Sequence, residues 1–340
     1  MRRLVVCCDG TWKAAEAKAP TNIVYLSRAV LPVGLDGVSQ PLFYDPGVGT
    51  GTLTDRVTGG AFGQGASDNI KDAYRWLVYN YAPGDEVFVF GFSRGAYTAR
   101  SLVGLIRKCW LLHKRHADLL PQAYDIYRRR DDTADSDEAG AFRVPHCRQI
   151  DIHFLGVFDT VGALGVPVAG LRGLTLRRYQ FHDPRLSSIV KHAFHAVAID
   201  EQRKPFRPTL WEKKPGTEQV VEQAWFSGVH SDVGGGYPER GLSDVTLRWM
   251  LARAAGAGLQ FDEQYLAELV TPDPLGVLHD SQTGFYRVTG AYERPIGVDP
   301  SGCEAVSSSA IARHEHPPAG YSPKNLLAYL AQAAKRLVET

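Results

Sequence analysis

The chain has 340 residues, 44% of them hydrophobic, enough for a large buried core in one large α/β domain or two smaller ones. A formal net charge of +1 gives no reason to expect nucleic acid or an anionic membrane as an obligatory partner. Five cysteines (Cys7, Cys8, Cys109, Cys147, Cys303) lack metal-ligand spacing; Cys7 and Cys8, adjacent in an apolar run, read as buried thiols in a reducing compartment.

The N-terminal run Leu4 to Cys8 is too short for a signal peptide or a membrane span. A cytoplasmic protein is therefore expected, with signal-less export through a secretion system as the alternative. Broken by Asp9-Gly10-Thr11, that run predicts a buried parallel strand ending in a loop. Ser39 to Tyr44 is a second strand candidate, and the glycine-rich stretch from Asp45 to Gly65 reads as loop. Ala66 to Tyr81 has helical spacing, with Ile70, Ala73, Leu77 and Tyr81 on one stripe. After the turn Pro83-Gly84-Asp85, Glu86 to Phe90 is the clearest strand, running into Gly91-Phe92-Ser93-Arg94-Gly95 and a helix over Ala96 to Leu112.

Asp131 to Ala141 is acidic, lacks large apolar residues and reads as a mobile loop. Ile150 to Phe158 is another strand, followed by Asp159-Thr160 and a mixed apolar segment, Val161 to Leu176, that reads as a lining loop or lid. His195 to Ile199 and Val220 to Val229 are further strands, the second ending at His230-Ser231-Asp232. Helices are expected over Ser243 to Ala257 and Ser322 to Val338. Interleaved strands and helices predict an α/β fold of α/β-hydrolase-like type. Its mostly parallel central sheet would carry helices on both faces and loop insertions near the site. We expect one domain over 1–340, a core of about 3–257 with 258–340 packed on it as an extension.

A hydroxyl is a weak nucleophile at neutral pH and needs an adjacent base and an exposed setting. Gly-x-Ser-x-Gly between a strand and a helix supplies the setting, because the flanking glycines let the backbone turn where a side chain would collide. Ser93 is thus the expected nucleophile. In the order serine, acid, histidine at the carboxyl ends of strands, Asp159 and His230 follow as acid and base. Asp232 is the rival acid. His195, inside or before its strand, and His279 with Asp280 are rival bases. The oxyanion hole is expected from backbone N–H groups of Arg94 and of the early loop at Gly10 and Thr11. Asp9 there either organises the loop or holds a divalent cation; otherwise no cofactor or metal is expected.

The segments Cys8-Asp9-Gly10-Thr11-Trp12, Thr21-Asn22, Tyr44-Asp45-Pro46-Gly47-Val48-Gly49-Thr50-Gly51 and Gly91-Phe92-Ser93-Arg94-Gly95-Ala96-Tyr97-Thr98-Ala99-Arg100 resemble the DUF2235 family. So do Phe158-Asp159-Thr160-Val161-Gly162 and His230-Ser231-Asp232-Val233-Gly234-Gly235-Gly236-Tyr237, with a thinner echo at Tyr321 to Leu326. That α/β-hydrolase domain also occurs in the Tle1 group of type VI secretion phospholipase effectors. The resemblance implies the same fold, a Ser-Asp-His triad and, in the effectors, lipid-ester hydrolysis.

The first functional reading is a serine hydrolase of carboxylic esters, in the range from simple esterase to phospholipase. Its partners would be a small-molecule or lipid ester, no nucleic acid, and at most a peripheral membrane contact. The alternatives are a metal-assisted phosphoesterase using Asp9, Asp159, His230 and Asp232, and a non-catalytic binding module on the same scaffold. The basic clusters Tyr127 to Arg130 and Leu176 to Tyr179 read as solvated surface, or as contacts for an anionic headgroup.

Overall fold

A computed structural model describes residues 1–10, 19–47, 59–129, 135–161, 186–214, 216–288 and 290–340. At its centre lies an eight-stranded sheet: β1 (Arg3–Cys8), β2 (Leu42–Asp45), β3 (Glu86–Phe92), β4 (Ile152–Phe158), β5 (Val190–Ala198), β6 (Val220–Phe226), β7 (Glu304–Ser307) and β8 (Leu337–Val338). The order across the sheet is β8-β7-β6-β5-β4-β3-β1-β2, and every neighbouring pair is parallel. Parallel pairing puts the carboxyl ends of all strands on one edge, where the side chains of several loops can meet.

Helices cover both faces. The principal ones are α1 (Asn22–Ala29), α2 (Gly59–Asn80), α3 (Arg94–Cys109), α4 (Leu120–Arg128), α5 (Asp137–His146), α6 (His230–Gly234), α7 (Gly241–Gly256), α8 (Glu263–Leu269), α9 (Ser308–Glu315) and α10 (Lys324–Leu330). Strand alternation divides the core. Leu4, Val6 and Cys8 with Val87 and Val89 face α2, α3, α4 and α5. Val5 and Cys7 with Phe88, Phe90 and Phe92 face α1, α7 and α8. A third cluster, including Trp225, Val306, Leu326 and Tyr329, packs α9 and α10 at the far end of the sheet.

Four expectations change. The helix α2 begins at Gly59, inside the stretch read as loop, while 48–58 lie outside the described residues. Within the segment read as a mobile loop, Ser136 caps α5 by accepting from the Ala139 N–H, and Asp137 and Glu138 occupy its first turn, where the helix dipole favours acidic residues; residues 130–134 lie outside the described ones. Nor is the C-terminal part an appendage, since it supplies β7 and β8 to the central sheet. The closing helix stops at Leu330, and Leu337–Val338 pairs with β7 instead of continuing it. All five cysteines are buried and none is in a disulfide. No described helix is long and apolar enough to cross a membrane.

Candidate active site

The elbow at Ser93 is built by close approach. Cβ atoms added at Gly91 and Gly95 would lie 2.6 Å from Ala96 Cα and 2.1 Å from the Cys8 carbonyl oxygen, both backbone atoms that cannot yield. With glycine at both positions, α3 packs directly against the end of β1. Between them Ser93 sits at φ 59°, ψ −121°, a conformation costing an L-residue about 1–3 kcal/mol. Its N–H is anchored to the Phe158 carbonyl at 3.1 Å. Strand β3 thus delivers the hydroxyl at the carboxyl edge, with Arg94 opening α3 behind it.

His230 opens α6 just beyond β6, and its Nε2 lies 2.8 Å from Ser93 Oγ. On the other side of the ring, Nδ1 lies 2.5 Å from Asp159 Oδ2. Phe92 and Phe206 pack on this imidazole at centroid distances of 4.7 and 4.9 Å, fixing its plane. Its backbone N–H donates to Glu201 Oε2 at 3.2 Å. Asp159 follows β4, the strand beside β3, and is fully buried. The Ala198 N–H donates to its Oδ1 at 3.0 Å, and Arg294 donates to Oδ1 at 2.6 Å and Oδ2 at 3.1 Å. Burial alone would raise this carboxyl, but the Arg294 guanidinium and the His230 imidazole hold it well below the usual carboxylate range. An ionised acid, an imidazole within hydrogen-bond reach of a hydroxyl, and a strained serine are the parts an acyl-transfer site would require.

A family model described as "T6SS, Phospholipase effector Tle1-like, catalytic domain" matches residues 2–253. The chain belongs to this family. It is also 29% identical over 237 residues to an uncharacterized Saccharomyces cerevisiae protein, covering 63% of this chain and 33% of that one. Among solved structures, an uncharacterized Pseudomonas aeruginosa protein is similar at 19% identity and a TM-score of 0.49, over 80% of this chain and 49% of that one. The Tle1 effector bound to the VgrG spike of the type VI secretion system is similar at 18% identity and a TM-score of 0.49, over 80% and 76%. The chain therefore spans about a third of the yeast relative and about half of the Pseudomonas one.

In this Tle1-like domain the rival residues have other work. Asp232 accepts from the Val229 N–H at 3.0 Å and pairs with His279 Nδ1 at 2.6 Å, while His279 stacks on Tyr237 at 3.8 Å. His195 lies within β5, fully buried between the Thr160 N–H at 3.1 Å and Gln223 Oε1 at 3.3 Å. Burial, with the Arg100 charge, pushes His195 down to about 3, so it is a neutral acceptor inside the fold.

Asp9 accepts from the Thr21 hydroxyl at 2.8 Å, the Tyr44 hydroxyl at 2.8 Å and the Gly10 N–H at 2.6 Å, tying together β1, β2 and the cap of α1. The Gly10 N–H, expected as an oxyanion donor, donates here to the Asp9 carboxylate. Thr11, its expected companion, lies outside the described residues, as do 162–176 of the presumed lining loop. Among the described residues no three His, Cys, Asp or Glu converge as a ligand set, so the residues of the metal-assisted alternative are not gathered into one centre.

Three contributors escape the sequence reading. Arg294 sits in a loop with no motif around it and reaches Asp159 only through the fold. Glu201 leaves no local signal either. The pair Thr21-Asn22 is visible as a motif without a role. Asn22 Nδ2 donates to the Val233 and Ser243 carbonyls at 3.0 and 2.9 Å, holding α6, and with it His230, against α7.

Proposed function

We propose that the protein is a serine hydrolase acting on carboxylic esters of lipids, a phospholipase in keeping with its family. The observation that carries this reading is the continuous chain Asp159–His230–Ser93 at a strained strand-to-helix turn. Ser93 Oγ attacks the ester carbonyl carbon as its proton passes to His230 Nε2. The tetrahedral intermediate expels the alkoxide, which takes that proton back, and an acyl-enzyme remains. Water, deprotonated by the same imidazole, then releases the acid and frees Ser93. Asp159 keeps the second imidazole proton on Nδ1 and stabilises the imidazolium. The Arg94 N–H, in the first turn of α3, faces the developing oxyanion; a donor of this kind contributes about 3–4 kcal/mol.

A fluorophosphonate probe tests the reading. Wild-type protein is expected to be labelled, Ser93→Ala to lose both label and turnover of phospholipids and p-nitrophenyl esters, and EDTA to change neither. Activity that survives in Ser93→Ala and disappears with chelator would overturn it in favour of the metal-assisted phosphoesterase.

A further inference from the structure

The family match ends at residue 253, yet the group that completes the acid's surroundings comes from beyond it. Arg294 is wholly buried, and its guanidinium has a defined set of acceptors. Nη1 donates to Asp159 Oδ1 at 2.6 Å and to the Ala198 carbonyl at 2.8 Å. Nη2 donates to Asp159 Oδ2 at 3.1 Å and to the Phe206 carbonyl at 2.5 Å. The planar fork thus meets both carboxylate oxygens and is itself aligned by two carbonyls, one from β5 and one from the residue whose ring packs on His230. Its own backbone is fixed: Asn325 Nδ2, from α10, donates to the Arg294 and Ile199 carbonyls at 3.0 Å each.

We propose that Arg294 is a positioning residue of the site: its bidentate grip fixes the plane of the Asp159 carboxylate and so aims His230 at Ser93. The inference rests on the serine-hydrolase reading. Without Arg294 the carboxylate would keep only the Ala198 N–H on Oδ1 and His230 on Oδ2, losing the fork that grips both oxygens at once and the restraint it puts on rotation of the acid and swing of the imidazole. A buried acid without a cation would also draw a proton, or hold the imidazolium too tightly for proton return.

The groups facing this pair limit what else can set its titration. Glu201 faces the His230 backbone but is paired with Arg203 at 2.8 Å. Asp232 is taken up by His279 at 2.6 Å. His195 is buried and coupled electrostatically to both Arg100 and Asp159, and its ring bonds the Thr160 N–H and Gln223. Arg294 is the cation seen bonded to both oxygens of the acid.

The rate of fluorophosphonate labelling against pH reads the protonation of His230 without a known substrate. In Arg294→Met the plateau rate is expected to fall 10- to 100-fold. The acid limb should move up by about one pH unit, since removing a nearby positive charge favours the imidazolium. In Arg294→Lys the charge stays and the fork is lost, so the limb should stay put while the plateau falls. A merely structural arginine would lower the unfolding temperature and leave the limb unmoved. Folded Arg294→Met with the wild-type limb and plateau overturns the proposal. If Arg294→Met does not fold, Arg294→Lys decides: a lowered plateau supports the grip, a wild-type plateau refutes it. Wild-type protein that takes no label at any pH removes the serine-hydrolase reading itself, and this proposal with it.

Discussion

The substitution Asp159→Asn separates chemistry from stability in one variant. The amide NH2 that it introduces would donate to His230 Nδ1, forcing the ring proton onto Nε2, where the Ser93 proton has to go. Such tautomer inversion costs acyl-transfer triads about 10⁴-fold in turnover. Independently, the Arg294 guanidinium, whose side chain is 0% exposed, loses its counter-charge. Breaking a buried pair from one side costs about 3–5 kcal/mol. At about 2 cal/mol/K per residue, a chain of 340 residues has an unfolding entropy near 0.7 kcal/mol/K, so the melting temperature should fall by about 4–7 °C. Ester turnover and calorimetry check the two effects separately. Activity within tenfold of wild type, with a melting temperature within a degree, would refute the assignment of Asp159 as the buried acid of the site.

Other expectations follow from the same geometry. Gly95→Ala places a methyl 2.1 Å from the Cys8 carbonyl oxygen and 2.4 Å from that of Asp9, so the protein should lose soluble expression or more than about 3 kcal/mol in urea melts; an unchanged midpoint would show that the elbow can open. Burial lifts the Asp9 carboxyl to about 6. Because that value is raised above the unfolded one near 4, Asp9 adds stability below pH ~4 and loses it as pH rises through about 6. Wild-type protein should therefore gain more stability than Asp9→Asn, by about 1–2 kcal/mol, on going from pH 7.5 to 5; equal gains in denaturant titrations would contradict this. Ser93→Gly relieves the left-handed backbone at φ 59° and should raise stability by about 1 kcal/mol while abolishing labelling, and a less stable glycine variant would argue against strain at the elbow.

How much of this is visible in the sequence depends on range. The proposed nucleophile is written in five consecutive residues, because the turn's steric demand is local and only glycine meets it. Asp159 and His230 are legible through chain order, since a parallel sheet sends each strand's end to the same edge. Glycines mislead at 59–65, where each costs a helix about 1 kcal/mol relative to alanine and α2 forms anyway through the packing of Ile70, Tyr74 and Leu77. At Asp137 and Glu138 acidity reads as solvation when it marks a capped helix start. Arg294 and Glu201 cannot be read at all, because their partners lie 135 and 29 positions away and the bonds exist only once the sheet is assembled. The hydrogen bond from Gly10's N–H to the neighbouring carboxylate is likewise a matter of one backbone orientation, which residue identity does not specify.

The cysteines, finally, bear on how the molecule meets an oxidant. All five are buried and none is in a disulfide, and burial drives the thiols of Cys7 and Cys8 far upward, away from the reactive thiolate. These two lie in β1, beside Phe90 and Gly91 of the strand that carries Ser93, so oxidation there would first require the sheet to open. No disulfide is needed to complete the fold, and no exposed thiol invites one. The five thiols thus give the folded core little dependence on the redox state of its surroundings.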